Sequence, residues 1–160
     1  MKKYWIVILL LVSLPAIAAA QSNDRGRAYG YLFAGPGVST NGSDTLVNFG
    51  TGAEGFVYKG LAVGAEIAGF TLSKEFKLVG ALSPNVSYHF LKASKSGKVI
   101  PFITGGYTLF FGDGVANRGN FGGGVNYWFK DTAGLRFEVR DYVIASDSHI
   151  VGFRFGLVLR

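Results

Sequence analysis

The chain has 160 residues, a formal net charge of +6, 24 glycines against 4 prolines, and no cysteine. That length suits one domain, and the missing cysteine excludes disulfides, thiolate metal sites and a cysteine-linked lipid anchor. The positive charge is scattered: only Lys92, Lys95 and Lys98 cluster, in one polar turn, so there is no basic stripe with stacking aromatics and no nucleic-acid partner is expected.

Residues 1–20 have the pattern of a cleavable export signal, and residues 21–160 form the folded domain. Lys2 and Lys3 make a positive start. Trp5 to Leu14 is an apolar run of the length such signals use. Ala18-Ala19-Ala20 offers small residues for cleavage before Gln21. A spanning helix needs roughly 20 apolar residues, and Pro15 interrupts this run.

Beyond residue 20 the scattered glycines disfavour helix, and the apolar residues recur with period two. Strand one covers about 28–37, with Tyr29, Tyr31 and Phe33 on one face. A turn follows at Ser39 to Asp44. Strand two covers about 45–57. Tyr58-Lys59-Gly60 fits a three-residue hairpin with Gly60 in the left-handed conformation. Strand three, about 61–72, alternates Leu61, Val63, Ala65 and Ile67 with Ala62, Gly64, Glu66 and Ala68. Strand four, about 76–90, sets Leu82, Pro84, Val86, Tyr88 and Phe90 against Ser83, Asn85, Ser87 and His89.

Leu91 to Gly97 is the longest polar connection. Strand five, about 98–111, is apolar at both parities, so its faces stay unassigned. Strand six, about 117–129, sets Phe121, Val125, Tyr127 and Phe129 against Gly122, Gly124, Asn126 and Trp128. Strand seven alternates Leu135, Phe137 and Val139 with Arg136, Glu138 and Arg140. After a turn at Ala145 to Ser148, strand eight alternates Val151, Phe153, Phe155, Leu157 and Leu159 with Gly152, Arg154, Gly156 and Val158.

One face of the last hairpin is aliphatic and aromatic, and the other mixes glycine with full charges. A soluble sandwich would bury the first face. A membrane barrel would turn it to lipid and point the charges into the lumen. The aromatic residues favour the barrel. If the chain starts on the periplasmic side, Tyr88, Phe90, Tyr127 and Phe129 reach one membrane edge, and Tyr29 and Tyr31 join them in an interfacial girdle. The fold class is therefore all-β: an eight-stranded antiparallel up-and-down transmembrane barrel. Val151, Phe153, Phe155, Leu157 and Leu159 are its lipid-facing residues on strand eight.

The mature chain resembles the small outer-membrane β-barrel family typified by the membrane domain of outer membrane protein A. The resemblance rests on the export signal, on Pro-Phe-Ile-Thr-Gly-Gly at 101–106, and on Gly-Leu-Arg-Phe-Glu-Val-Arg followed by Gly-Phe-Arg-Phe-Gly-Leu in the last hairpin. It implies the outer membrane of a Gram-negative-type bacterium, with outer-membrane lipid and the barrel-assembly machinery as partners. Family members usually finish on an aromatic residue, where this chain has Leu159-Arg160. Many carry long outer loops, where these are short. The peptidoglycan-binding module of the larger relatives is not expected.

Three local patterns need weighing. Gly50-Thr51-Gly52-Ala53-Glu54-Gly55 matches G-x-G-x-x-G, but that motif works by opening a helix, and Phe56 onward continues a strand. Ser146-Asp147-Ser148-His149 holds the residue types of a hydrolase, and outer-membrane lipid A deacylases are barrels with such a site. A triad, however, needs each group within hydrogen-bond reach of the next, and a solvated turn is the simpler reading. The two histidines, His89 and His149, are not at ligand spacing. No catalytic residue, metal or cofactor is expected.

Glu54, Glu66, Arg136, Glu138, Arg140 and Arg154 all fall on the non-lipid parity. Eight strands leave an interior that side chains fill, so these charges must pair or meet water. Antiparallel partners in the last hairpin should have numbers summing to about 292, which sets Glu138 opposite Arg154. The expected function is a structural or surface role with a plugged lumen; a gated ion path is the sharper variant. An outer-membrane lipid-modifying enzyme, or a secreted soluble lipocalin-like barrel with an apolar interior, are the alternatives.

Overall fold

A computed structural model describes residues 28–41, 45–72, 78–112 and 114–160. Residues 1–20, expected from the sequence to be an export signal, lie outside these residues, as do parts of the turns near 42, 75 and 113. Eight strands follow one another: β1 (Ala28–Ser39), β2 (Thr45–Tyr58), β3 (Leu61–Leu72), β4 (Leu78–His89), β5 (Val99–Phe111), β6 (Val115–Trp128), β7 (Ala133–Ala145) and β8 (Ser148–Leu159). Each pairs antiparallel with its neighbour in the chain, and β8 closes onto β1 from Gly30↔Leu159 to Ser39↔Ile150. The result is a closed up-and-down barrel, which leaves no sheet edge unpaired. Its shortest strands have 12 residues, enough to cross a bilayer when tilted, for which about 9–11 suffice.

The β2–β3 connection is tighter than the expected three-residue loop. Tyr58 stays paired with Leu61, and the extra residue is absorbed by a bulge between Phe56 and Tyr58. That leaves Lys59 and Gly60 as the turn, at φ of 30° and 95°. Two positive φ values let the turn follow the twist of the strands, and only glycine adopts the second without strain.

The two faces of the sheet are chemically inverted relative to a soluble protein. Leu32, Phe49, Val63, Leu82, Ile103, Phe121, Phe137 and Phe155 project outward and are exposed, while Glu54, Glu66, Glu138, Arg136, Arg140 and Arg154 are buried inside. Across the outside of β7 and β8, Phe137 and Phe155 face each other edge to face at 5.5 Å. The interior has three tiers. Tyr29, Phe56, His89, Phe102 and Trp128 fill the end that carries the Lys59–Gly60 turn, with Tyr29 lying 4.8 Å from Phe56 and 5.1 Å from Trp128. The charged groups fill the middle. Leu46, Phe70, Phe110 and Tyr142 lie toward the end that carries the Ser146–Asp147 turn.

Tyr29 and Tyr31 are not part of an outer girdle: both point into the barrel and are 2% and 4% exposed. The pairing of β1 with β2 explains this. Tyr29 lies opposite Glu54, and Tyr31 opposite Gly52; directly opposed residues share a face of the sheet, so the parity that buries Glu54 buries both tyrosines. At the same end, Tyr88, Phe90, Tyr127 and Phe129 do project outward, and Tyr58 joins them, 63% exposed.

Candidate functional site

The lumen cluster is built on β7, where Arg136, Glu138 and Arg140 occupy three successive inward positions. Long side chains at this spacing need room beside them, and the neighbouring strands supply it. Gly122 and Gly124 on β6 stand opposite Arg140 and Glu138, and Gly152 and Gly156 on β8 stand opposite Arg140 and Arg136. A Cβ added at Gly124 would come within 2.9 Å of both Glu138 Cα and the Phe102 ring. Glycine there is a condition for seating the charges.

Arg154 on β8, Glu66 on β3 and Glu54 on β2 complete the cluster. Arg136 donates from Nη1 to Glu54 Oε1 and from Nε to Glu138 Oε2, both at 3.1 Å. Arg140 pairs with the same Glu138 and reaches Glu66 Oε2 at 2.9 Å. Its Nη1 donates to Asn120 Oδ1 at 2.9 Å. Arg154 Nη1 lies 2.9 Å from Glu66 Oε1 and 3.4 Å from Glu138 Oε1, while its Nη2 donates to the Tyr142 hydroxyl. The Tyr31 hydroxyl donates to Glu66 Oε2 at 3.0 Å. Aromatic faces cover the guanidiniums: Arg136 sits 4.2 Å from the Tyr31 ring centre and 3.9 Å from that of Phe102, and Arg154 sits 4.1 Å from that of Phe33.

Three carboxylates thus meet three guanidiniums in an enclosed space. Uncompensated charges there would be very costly, and pairing with hydrogen bonds offsets the desolvation. At the cluster's edge His89 Nε2 lies 3.1 Å from Glu54 Oε1. That is ion-pair distance, but neither ring nitrogen is aligned for a hydrogen bond. Chemically the cluster is suited to holding strands together. Arginine does not release its proton in proteins, and the carboxylates are already engaged.

A second polar group lies on the outer wall. His149 Nδ1 contacts both carboxylate oxygens of Asp141, at 3.1 and 3.0 Å, and the backbone N–H of His149 donates to Thr40 Oγ1 at 2.9 Å. Asp141 and His149 are diagonal neighbours across β7 and β8, since Asp141 opposes Val151 and Val143 opposes His149. The sequence draws attention to His149 but not to Asp141. A register summing to 292 sets Asp141 opposite Val151 and so leaves it only diagonal to His149. Ser146 lies in the turn and Ser148 opens β8; no hydrogen bond joins either to His149 among the described residues. Gly50 to Gly55 lies inside β2 with no helix after it.

No family model matches the chain, and no curated protein matches its sequence. Solved structures do match its shape. Neisserial surface protein A superposes with a TM-score of 0.64 at 14% identity, covering 84% of this chain and 97% of that one. The N-terminal β-barrel domain of Pseudomonas aeruginosa OprF gives 0.60 at 11% identity, covering 83% and 96%. A de novo designed transmembrane β-barrel gives 0.56 at 15% identity, covering 87% and 98%. At these identities the likeness is one of fold: the chain has the closed, eight-stranded antiparallel architecture of the small outer-membrane β-barrels.

Proposed function

We propose that the chain is an integral outer-membrane protein of a Gram-negative-type bacterium, with a structural or surface role, a side-chain-plugged lumen and no catalytic activity. The observation that carries this reading is the inversion of its faces. A continuous apolar belt lies outside, while Glu54, Glu66, Glu138, Arg136, Arg140 and Arg154 are sealed inside. In water such a belt would far exceed the apolar patches that soluble monomers expose; in lipid it is the stable arrangement. The plugged lumen is favoured over a gated ion path because aromatic tiers flank the charges at both ends. Partners are outer-membrane lipid and, during biogenesis, the barrel-assembly machinery. The test is fractionation of expressing cells with detergent extraction, followed by a gel of unboiled and boiled protein. A membrane fraction with a heat-modifiable band is the expected result, and soluble protein with no mobility shift would reject it in favour of the lipocalin-like barrel.

The Asp141–His149 pair favours one second reading, a lipid-modifying enzyme. A carboxylate on Nδ1 is how a histidine base is oriented, and this pair faces outward, where lipid would lie. Release of acyl chains from lipid A, abolished by His149→Gln, would establish that reading.

A further inference from the structure

We propose that the barrel end carrying the Lys59–Gly60 turn is a binding surface for anionic phospholipid head groups. Scattered along the sequence, the lysines are gathered by the topology. Lys59 stands in the β2–β3 turn, Lys92, Lys95 and Lys98 in the β4–β5 connection, and Lys130 in the β6–β7 turn. Up-and-down pairing brings these three connections to one rim. All five lysines are exposed, and Asp131 is the one acidic residue in the three connections. Residues 21–27, which lead into β1, hold Arg25 and Arg27 against Asp24, so they do not reverse the sign. The connections at the other end have the opposite balance: Asp44, Glu75, Asp113 and Asp147 against Lys74 and Lys77. The six lumen charges cancel. The positive excess beyond residue 20 therefore belongs to one rim.

The lysines also stand in a repeated relation to the outward aromatic residues. Tyr58 precedes Lys59, Phe90 precedes Lys92 by two residues, and Phe129 precedes Lys130. All three rings are exposed on the outer face. The Lys59 ammonium lies 5.1 Å from the Tyr58 ring centre, and Tyr88 packs edge to face on Phe90 at 5.1 Å. Such rings settle at head-group level in a bilayer, which sets the ammonium groups, one or two residues further out, among the phosphates. Lysine suits that depth, because its apolar stem lies along the rings while its charge reaches outward. Shape and charge select the occupant. The three connections are spaced round the rim, where a lipid leaflet meets all of them and a folded protein partner would cover one side. A phosphodiester with no amine of its own leaves its negative charge for the lysines, and a zwitterionic head group does not. This surface presupposes a membrane barrel and adds to that reading the lipid class that one end selects.

The test is site-resolved fluorescence quenching by brominated lipid. The full chain carries Trp5→Phe, Trp128→Phe and Tyr127→Trp, so its one tryptophan lies at this rim, opposite Val99 and beside Lys98. It is refolded into phosphatidylcholine liposomes containing either dibrominated phosphatidylglycerol or dibrominated phosphatidylcholine at equal mole fraction. Phosphatidylglycerol should quench more, with a relative binding constant higher by about fivefold, the weight of one lysine at an anionic surface. Sodium chloride at about 0.5 M, where charges are screened beyond roughly 4 Å, should remove the preference. Lys98→Gln together with Lys130→Gln, both at exposed positions outside the strands, should remove it too. A tryptophan at the other end, Phe111→Trp in place of Tyr127→Trp, should show no preference. Each variant is first checked for the heat-modifiable band, and Phe129→Trp replaces Tyr127→Trp if the latter does not fold. Equal quenching by the two lipids at this rim, a preference that survives both the salt and the lysine changes, or the same preference at 111 would overturn the proposal and leave the membrane barrel standing. Quenching by neither lipid would overturn both.

Discussion

Glu138 on β7 lies directly opposite Arg154 on β8, yet at 3.4 Å theirs is the longest ion pair in the lumen among the described residues. Glu138 is already held along its own strand by Arg136 and Arg140. Arg154 instead crosses the lumen to Glu66 on β3, at 2.9 Å. Cross-lumen contacts of this kind tie distant strands together, whereas pairs within β7 tie a strand to itself.

Glu66 should therefore be the most sensitive carboxylate. It holds Arg140 and Arg154 and accepts the Tyr31 hydroxyl. Glu66→Gln should destabilise the barrel by about 3–5 kcal/mol, the usual consequence of breaking a buried pair from one side. In a double-mutant cycle, the coupling of Glu66 to Arg154 should exceed that of Glu138 to Arg154. Urea unfolding in detergent micelles provides both numbers, and equal couplings would contradict this account.

Gly52→Ala should act through Tyr31. An added Cβ would lie 2.6 to 2.7 Å from the Tyr31 ring and hydroxyl, so the ring must shift, which disturbs the packing around its bond to Glu66. Overpacking of this kind typically costs about 1–3 kcal/mol. In a Tyr31→Ala background the same substitution should cost close to nothing, which unfolding of the four proteins would show.

Trp128 and Tyr127 offer an optical test of the inner and outer faces. Trp128 is inward and 2% exposed, with Arg160 over its ring at 4.3 Å, while Tyr127 points outward. Once Trp5 is replaced by Phe, Trp128 is the one remaining tryptophan. Its fluorescence should resist quenching by brominated lipid. Moving the tryptophan outward, with Trp128→Phe and Tyr127→Trp, should make the emission sensitive to that lipid.

The strands were legible wherever polarity alternated. β3, β4, β7 and β8 carry charges or hydroxyls on one parity and apolar groups on the other, so both their boundaries and their faces follow from period two. β5 resisted because both parities are apolar; burial of Phe102, Thr104 and Thr108 sets its inward face. β1 misled for a related reason. Its outward residues include Leu32, Ala34 and Val38, so the face holding Tyr29 and Tyr31 looked equally fit for lipid. The deciding fact, Tyr29 opposite Glu54, is a register between strands, and single-strand patterns do not contain it. The six lumen charges were identifiable from parity. Which carboxylate each arginine prefers depends on side-chain reach across the lumen, and the hairpin register alone put Arg154 on the weaker partner.

Arginine substitutions on the outer face of β8 should depend on depth. Phe155→Arg, in the body of the strand, should cost about 2–4 kcal/mol in a bilayer, and Leu159→Arg, at its end, about 0–1 kcal/mol. Refolding into liposomes over a urea series measures both. A uniform penalty would mean that the apolar belt does not track a membrane.

The most direct test of the central claim is which face of β8 meets lipid. The chain contains no cysteine, so a single cysteine at each position from 151 to 159 can carry a spin label alone. With the protein refolded into liposomes, labels at 153, 155 and 157 should collide freely with oxygen dissolved in the bilayer and poorly with a water-soluble nickel complex. Labels at 154 and 158, whose native side chains are buried inside, should be shielded from both. Free collision of the nickel complex with 153, 155 and 157 would mean that this face is in water, and the membrane-barrel account would be wrong.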